Sequence, residues 1–297
     1  MTHVTTTTPP SAHPLKRAWR LGALVCILLL TPACSPVSVL NAFVPSEGYA
    51  LHEGLAYGSA ERQVLDLYVP EGTAPDAPVV IFFYGGSWKN GSRETYRFIG
   101  EALARQGFLV AVPDYRLYPE VRFPDFVEDG AKAVRWVSDH AAAYGGDPDR
   151  LILMGHSAGA HTAALLAFDQ RYLERTGVPS SSIRGLVGVA GPYSFDPLAY
   201  DSIRPIFADM AQEESVRPIT YVNGTEIATL LLHGEADTTV YPRNSRDFAQ
   251  RIQETGGDVT LLEYPDIGHI KIILSYAAPF RGRDTVYADT MRFLSSI

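Results

Sequence analysis

The sequence predicts an α/β fold in which a mostly parallel central sheet is covered by helices on both faces. From about Gly48 onward, apolar segments of strand length alternate with longer segments of helical periodicity. One strand-like segment, APVVIFFYGG at 77–86, is continuously apolar, as expected of a parallel strand buried on both faces. Glycine-rich and polar motifs follow these segments, and sites in such sheets form beyond the carboxyl ends of the strands. We therefore expect a site at that edge of the sheet.

Seven segments have the composition of strands. The first alternates apolar and polar residues and is predicted as a half-exposed edge strand of a hairpin, whereas the others are largely apolar. The predicted strands are 63–70, 77–86, 107–117, 150–157, 183–191, 227–237 and 259–266.

Helical segments separate the strands, and double glycines end two of them. The segment 126–146 places Val127, Ala131 and Val134 on one face and ends in two glycines. The segment 192–226 is rich in proline, tyrosine and acidic residues without a clear period, so we expect it to form a small lid or cap. The predicted helices are 94–106, 126–146, a small-residue helix from Ala158, 243–257 and 284–297.

Composition narrows the class of protein. The 297 residues are 46% hydrophobic, which is enough for a sizeable core. The net charge of −8 argues against nucleic acid as a partner, because a phosphate-binding surface needs an excess of Lys and Arg. The only cysteines are Cys26 and Cys34, so we expect no cysteine catalysis, disulfide or thiolate metal site in the folded domain.

The first 34 residues have the pattern of an export signal. A basic stretch ending at Arg20 precedes an apolar run from Leu21 to Leu30, which is too short for a comfortable membrane span. LLLTPACS is similar to a bacterial lipobox, which would make Cys34 a lipidated residue at the periplasmic or cell surface. Thr31 departs from that pattern. The alternatives are a secreted soluble protein cut after Ala33 and an uncleaved anchor.

The stretch LILMGHSAGAH at 151–161 places Ser157 between an apolar strand and a small-residue helix. A chain that presents a hydroxyl above the sheet must reverse within one residue, in a strained conformation. Gly155 and Gly159 stand at the positions where a side chain would collide with the crossing backbone. The helix from Ala158 directs unpaired N–H groups to the same point. This pattern predicts Ser157 as a nucleophile.

A second glycine-containing segment, FFYGGSWKNGS at 82–92, follows another predicted strand. Acyl transfer passes through a tetrahedral oxyanion, which needs hydrogen-bond donors fixed in advance. Small residues in this segment let backbone N–H groups approach a substrate without interference from side chains.

These segments resemble the hormone-sensitive-lipase-like and kynurenine-formamidase-like esterases of the α/β-hydrolase superfamily. YGGSW is similar to their HGGG-W oxyanion loop, and VPDYRLYPEVRFPDFVEDGAKAVRWV, GGDPDRLILMGHSAGAH and HGEADTTV follow in the same order. The resemblance covers roughly residues 60–275 and implies a single α/β-hydrolase domain over 35–297. Two residues depart from the pattern: Tyr84 stands where the family usually has His, and Ser87 replaces the third Gly.

The resemblance also assigns the partners of Ser157. The family order along the chain is nucleophile, acid and then base. LLLHGEADTTVYP resembles the acid loop of the family, with Asp237 in the acid position. Apart from His161, which lies four residues after Ser157 and precedes the acid loop, two histidines follow, namely His233 at a strand end and His269 after the last strand, and His269 is the expected base.

Three alternatives to this assignment remain open in the sequence. His233 could replace His269 as the base, and either Glu235 or Asp266 could replace Asp237 as the acid.

The resemblance implies further site residues around Ser157. Trp88 is expected to wall the acyl or alcohol site, His156 to line the pocket, and His161 to pack on the following helix. The expected oxyanion donors are the backbone N–H groups of Gly85, Gly86, Ser87 and Ala158.

Taken together, these residues predict a serine hydrolase that cleaves small carboxylic esters through an acyl-enzyme, with no metal or organic cofactor. An arylformamidase-like amide hydrolase is the nearest alternative, since formamidases share these motifs. A non-catalytic binding module on the same scaffold is the alternative from another class. The only membrane contact that we expect is through a lipid at Cys34, and the sequence does not indicate an oligomeric state.

Overall fold

A computed structural model describes residues 41–72, 75–208, 216–224 and 227–297 of the chain. Within these residues, eight strands form one sheet. The strands are β1 (Tyr49–Ala56), β2 (Val64–Pro70), β3 (Ala77–Phe83), β4 (Leu109–Pro113), β5 (Gly146–His156), β6 (Ile183–Val189), β7 (Ala228–Gly234) and β8 (Val259–Tyr264). The helices are α1 (Arg97–Ala104), α2 (Asp125–His140), α3 (Ala158–Phe168), α4 (Arg171–Thr176), α5 (Arg204–Phe207), α6 (Arg243–Glu254), α7 (His269–Leu274) and α8 (Val286–Leu294).

The sheet is mostly parallel, as the sequence predicts. Its strand order is β1-β2-β4-β3-β5-β6-β7-β8, and only the β1–β2 and β2–β4 pairs are antiparallel. In the parallel part, Phe83 pairs with Gly155, and His156 pairs with Val189. This register ends β3, β5 and β6 at the same level, so the loops that follow them meet at one edge of the sheet.

Two groups of helices cover the sheet. In the first group, α1 and α8 lie together, and the Tyr287 hydroxyl donates to the carbonyl of Ala102. In the second group, α2, α3 and α6 lie together, and the rings of Phe168 and Phe248 are 5.3 Å apart. The side chains of β3, apart from half-buried Pro78, and of the apolar half of β5 are buried, which confirms that the central strands are covered on both faces.

The expectation that strand 63–70 forms the edge of the sheet is wrong. An additional strand, β1, pairs outside β2, so β2 is an interior strand with four buried residues. The sequence hides β1 because most of its residues are exposed or half-exposed and the pairing register shifts between His52 and Leu55. Such an edge strand lacks the regular alternation that predicts a strand.

The predicted export signal and the lipidation site at Cys34 lie outside the described residues and stay predictions. In the part of the chain that the structure describes, no helix is both long and apolar enough to span a bilayer. The same residues contain no cluster of His, Cys, Asp and Glu side chains that could hold a metal ion.

Candidate active site

Ser157 occupies a sharp turn between β5 and α3. Its backbone has φ 55° and ψ −123°, a conformation that costs a residue with a side chain about 1–3 kcal/mol. A Cβ on Gly155 would lie 2.3 Å from the carbonyl oxygen of Gly159, and a Cβ on Gly159 would lie 2.0 Å from that of Phe83. Both contacts are with backbone, so the expected steric reason for these two glycines is confirmed.

Three side chains from different loops form a row of hydrogen bonds at the carboxyl edge of the sheet. Ser157 follows β5, Asp237 follows β7, and His269 follows β8 as the first residue of α7. The Nε2 atom of His269 lies 2.9 Å from Ser157 Oγ, and its Nδ1 atom lies 2.7 Å from Asp237 Oδ2. With the ring proton on Nδ1 donated to the carboxylate, Nε2 is free to accept the proton of the serine hydroxyl.

The carboxylate of Asp237 is buried and strongly hydrogen-bonded. Its Oδ1 atom accepts from the backbone N–H groups of Thr239 and Val240, at 2.8 and 2.9 Å. His233 Nε2 lies 3.4 Å from its Oδ2 atom. Burial alone would raise the pKa of Asp237, but hydrogen bonds from two histidine side chains and a backbone N–H outweigh it. Its pKa is therefore held well below the usual range, and the group stays ionised.

The structure does not place the alternative base or acids in this row. His233 is fully buried, with Nε2 shared between the Val240 carbonyl at 2.9 Å and Asp237 Oδ2 at 3.4 Å and Nδ1 2.7 Å from Ser245 Oγ, so neither ring nitrogen bonds to Ser157. Glu235 and Asp266 are exposed.

The loop formed by residues 84–92, called the 84–92 loop below, has an unusual backbone. Gly86, Ser87, Trp88 and Gly91 all have positive φ, at 140°, 54°, 57° and 109°. A Cβ on Gly86 would lie 2.1 Å from the carbonyl oxygen of Asn90, so this position requires glycine. Ser87 and Trp88 adopt the left-handed region with full side chains, at a cost of about 1–3 kcal/mol each.

The 84–92 loop runs directly beside the serine. A Cβ on Gly85 would lie 2.9 Å from Ser157 Cβ, and the cavity next to Ser157 is lined in part by Ser87 and Ala158. Burial raises the pKa of Tyr96 to about 12, and the N–H of Gly85 opposes this rise because it faces the tyrosine hydroxyl. This contact directs the Gly85 N–H to Tyr96, so Gly85 does not serve as an oxyanion donor, contrary to expectation, whereas the roles of Gly86, Ser87 and Ala158 as oxyanion donors stay predictions.

A cavity of about 150 Å³ opens beside Ser157. Trp88 forms one wall, as expected, with its indole stacked on Phe195 at 6.0 Å and edge-on to Phe207 at 5.0 Å. The first part of the predicted lid, 192–226, supplies several wall residues. The lining side chains are Ser87, Trp88, Ser157, Ala158, Pro192, Phe195, Tyr200, Ser202, Ile203, Thr239, Val240, Tyr241 and Asn244.

The model of one protein family, BD-FAE, matches residues 65–252. The chain belongs to the BD-FAE family. The matched range includes Ser157 and Asp237, whereas His269 lies beyond its end. In this BD-FAE protein, His269 is nevertheless joined to Ser157 and Asp237 by the hydrogen bonds described above.

Curated relatives of this BD-FAE protein have names that describe ester hydrolysis. A probable isoprenylcysteine alpha-carbonyl methylesterase of Arabidopsis thaliana is 32% identical over 294 residues, which cover 91% of this chain and 60% of that protein. The esterase LipC of Mycobacterium tuberculosis is 29% identical over 243 residues, which cover 74% of this chain and 60% of that protein. The chain thus spans about three fifths of the length of these relatives.

Solved structures share the fold of this BD-FAE protein, which is that of α/β-hydrolases. A truncated carbohydrate esterase from gut microbiota superimposes with a TM-score of 0.70 at 21% identity, covering 85% of this chain and 98% of that one. Thermogutta terrifontis esterase 2 with bound propionate gives a TM-score of 0.67 at 26% identity, covering 86% of this chain and 95% of that one. The predicted fold class is therefore confirmed.

His156 does not line the cavity, contrary to expectation, because it lies beneath His269. Its Nε2 atom is 3.1 Å from the carbonyl oxygen of His269, and the two ring centroids are 4.8 Å apart. Burial, reinforced by the neighbouring His269, lowers the pKa of His156 to about 3. The ring is therefore neutral and supports the peptide that carries the imidazole of His269.

His161 connects helix α3 to the cavity wall. Its Nε2–H donates to the carbonyl of Val216 at 2.7 Å, and its ring stands edge-on to Trp88 at 5.1 Å. Burial lowers the pKa of His161 to about 4. A neutral, fully buried histidine therefore joins the helix that follows Ser157 to residue 216 within the predicted lid.

The sequence reasoning missed the cavity-wall residues that follow Asp237 and all of the ionic contacts behind the 84–92 loop. Tyr241 lies within the segment LLLHGEADTTVYP and Asn244 lies two residues after it, so their position just after Asp237 was a usable signal. No comparable signal marked Arg62, because it lies in a turn far from every motif.

Proposed function

We propose that this BD-FAE protein is a serine hydrolase that cleaves carboxylic esters through an acyl-enzyme. The observation that carries the proposal is the row from Asp237 through His269 to Ser157, with hydrogen bonds of 2.7 and 2.9 Å. A serine hydroxyl is a poor nucleophile until a base removes its proton and a carboxylate orients that base.

In the proposed first step, His269 Nε2 takes the proton from Ser157 Oγ as this oxygen bonds to the ester carbonyl carbon. The carbonyl π electrons move onto oxygen, and the N–H groups of Gly86, Ser87 and Ala158 stabilise the resulting anion. When the tetrahedral intermediate collapses, the bond to the alcohol oxygen breaks and His269 returns its proton to the leaving alkoxide. The products of this half-reaction are a free alcohol and an acyl ester on Ser157.

The second half-reaction repeats these steps with water. His269 Nε2 removes a proton from water, whose oxygen attacks the acyl carbon, and the proton then goes to Ser157 Oγ as the acid is released. Throughout, Asp237 stays ionised, because its pKa is held far below neutrality, and it stabilises the imidazolium that forms twice per cycle.

The size of the cavity favours esters in which one half is small. A space of about 150 Å³ beside Ser157 accommodates a short acyl or alcohol group, and aromatic side chains close its far wall. The names of the relatives agree with a small group on one side of the ester, since several are methylesterases, and the esterase of Thermogutta terrifontis holds propionate.

The test uses the full chain, 4-nitrophenyl acetate and two serine variants. We expect Ser157→Ala to lower kcat by at least about 10⁴-fold, because the nucleophile is lost while binding remains. Ser182→Ala is the matched control, because Ser182 is also buried but lies at the amino end of β6, and its kcat should stay within twofold.

A fluorophosphonate probe separates hydrolysis from simple binding. An active nucleophile becomes labelled at residue 157, and the label disappears in Ser157→Ala. Undiminished activity in that variant, or an unlabelled wild-type protein without esterase activity, would refute the proposal and favour a binding module.

A further inference from the structure

The 84–92 loop needs support from outside itself. Four of its nine residues have positive φ, and two of these, Ser87 and Trp88, are not glycine. A strained backbone persists only where surrounding contacts hold it in place. The contacts that hold this loop therefore determine where its N–H groups point.

Tyr84, one of the two residues that depart from the family pattern, is held in place by hydrogen bonds to its hydroxyl. The hydroxyl donates to Asp114 Oδ1 at 2.7 Å and accepts from Arg62 Nη2 at 2.8 Å. The ring is fully buried and stacks between those of Tyr96 and Tyr115, at 5.6 and 4.7 Å. The hydroxyl of Tyr84 therefore makes its polar contacts, and the ring makes its two aromatic contacts independently of the hydroxyl.

The same charged groups hold the far end of the 84–92 loop. Arg62 Nη2 also donates to the carbonyl of Gly91 at 2.8 Å, and Asp114 Oδ1 accepts from the backbone N–H of Arg93 at 2.8 Å. A Cβ on Gly91 would lie 2.7 Å from the Tyr84 ring, so this end of the loop rests on that ring. Arg62 and Asp114 therefore bind both the Tyr84 hydroxyl, at the start of the loop, and the backbone at its far end.

On its other side, the backbone of Tyr84 touches the nucleophile helix. Its carbonyl oxygen accepts from the Tyr115 hydroxyl at 2.7 Å and would lie 2.5 Å from a Cβ on Gly159. The next residue, Gly85, packs against Ser157. Because these contacts are close, a displacement of Tyr84 would shift both the 84–92 loop and Ser157.

We propose that Tyr84 is a positioning residue, which fixes the N–H groups of the 84–92 loop relative to Ser157 through its hydrogen bonds to Asp114 and Arg62. The inference rests on the proposed ester hydrolysis, in which those N–H groups stabilise the oxyanion. Tyr84 itself contacts no reacting atom. Tyr84 stands at a place where related esterases usually have histidine.

The test removes only the hydroxyl, by Tyr84→Phe. The ring contacts remain, and Asp114 keeps its ion pair with Arg93, so the fold should persist. We expect kcat for 4-nitrophenyl acetate to fall about 10-fold with KM changed less than twofold, because loosened donors act in the transition state and not on the bound ester. The matched control is Tyr276→Phe, which removes a buried hydroxyl 2.6 Å from Thr290 Oγ1 and away from the loop.

Inhibition distinguishes positioning from a general loss of structure. A small trifluoromethyl ketone forms an oxyanion on Ser157, so its inhibition constant should rise about 10-fold in Tyr84→Phe. The inhibition constant of 1-propanol, a neutral alcohol that carries no anionic oxygen, should stay within twofold. Equal losses for both inhibitors, or the same kcat loss in Tyr276→Phe, would overturn the proposal.

A second variant tests the route through Arg62. Arg62→Lys keeps the positive charge but cannot reach the Tyr84 hydroxyl, the Gly91 carbonyl and the Tyr115 carbonyl together. We expect a kcat loss of similar size, and a double variant with Tyr84→Phe that loses less than the product of the two factors. Independent, multiplying losses would contradict a shared route. If Ser157→Ala keeps full activity, the proposed function itself fails, whereas an active wild type with an unaffected Tyr84→Phe refutes only the positioning role.

Discussion

Gly159→Ala tests most directly how the nucleophile is placed. The added Cβ would lie 2.0 Å from the carbonyl oxygen of Phe83 and 2.5 Å from that of Tyr84. The first distance is about 1.4 Å short of ordinary van der Waals contact. Both neighbours are backbone atoms between the end of β3 and the 84–92 loop, so no side-chain rotation can relieve the overlap. The first turn of α3 must therefore move away from the loop by about 1 Å.

Moving the first turn of α3 should lower both the free energy of unfolding and the catalytic rate. Overpacking against side chains costs about 1–3 kcal/mol, and a rigid backbone neighbour places this variant at the upper end, near 3 kcal/mol. A misplacement of about 1 Å between nucleophile and oxyanion donors lowers the rate about 10²-fold. We expect kcat/KM for 4-nitrophenyl acetate to fall by at least that factor, with a comparable slowing of fluorophosphonate labelling.

Gly130→Ala is the matched control for this prediction. A Cβ at this position in α2 would lie 3.1 Å from Leu166 Cδ1 and 3.2 Å from the Phe83 ring, which are side-chain atoms that can shift. The gain of about 1 kcal/mol in helix propensity offsets this crowding, so activity and stability should stay near those of the wild type. If Gly159→Ala keeps kcat/KM within threefold and unfolds within 1 kcal/mol of the wild type, the steric account of the serine turn is wrong.

Two further predictions concern titratable groups in and behind the site. Asp237→Asn should lower kcat about 10³–10⁴-fold at pH 7, because an amide neither selects the useful tautomer of His269 nor stabilises its imidazolium, whereas exposed Glu235→Gln should change kcat less than twofold. If Asp237→Asn keeps more than a tenth of the wild-type kcat, the carboxylate has no essential part in the mechanism. The pKa of His161 is about 4 in the folded chain and about 6.5 when unfolded, so the unfolded chain binds the proton first and stability is lost as the pH falls from about 6.5 towards 4. Urea unfolding at pH 7 and pH 5 should therefore show that His161→Gln loses about 2 kcal/mol less than the wild type over this interval, whereas Ser182→Ala, which removes no titratable group, behaves like the wild type. Equal losses in all three proteins would contradict the assignment of this pH dependence to His161.

The sequence predicted the elements of the fold best where they are buried and apolar. The central strands β3 and β5 carry unbroken apolar runs, because parallel strands covered on both faces admit few polar side chains. The edge strand β1 was missed for the opposite reason, since its largely exposed residues follow no buried pattern. Residues 1–40, including the predicted lipidation site at Cys34, lie outside the described structure, so the export signal stays a prediction.

Local chain geometry made the serine turn readable from sequence. The steric need for glycine at 155 and 159 arises within five consecutive residues and the strand beside them, so the motif alone carried the information. The family resemblance supplied the order of acid and base after Ser157 and so assigned Asp237 and His269, which both follow strands whose ends share one edge of the sheet.

Only the tertiary structure decided what surrounds that row. His156 is adjacent to Ser157 in the chain, yet it supports His269 and is absent from the cavity wall, because consecutive residues at the end of a strand point to opposite sides. The attachment of Tyr84 to Arg62 and Asp114 joins positions 22 and 30 residues apart. Spacing along the chain does not encode such contacts, since they depend on strand register and on how loops from separate strands pack together. The sequence by itself therefore determined which residues could perform the chemistry, and the packing of distant segments decided which neighbours hold them in place.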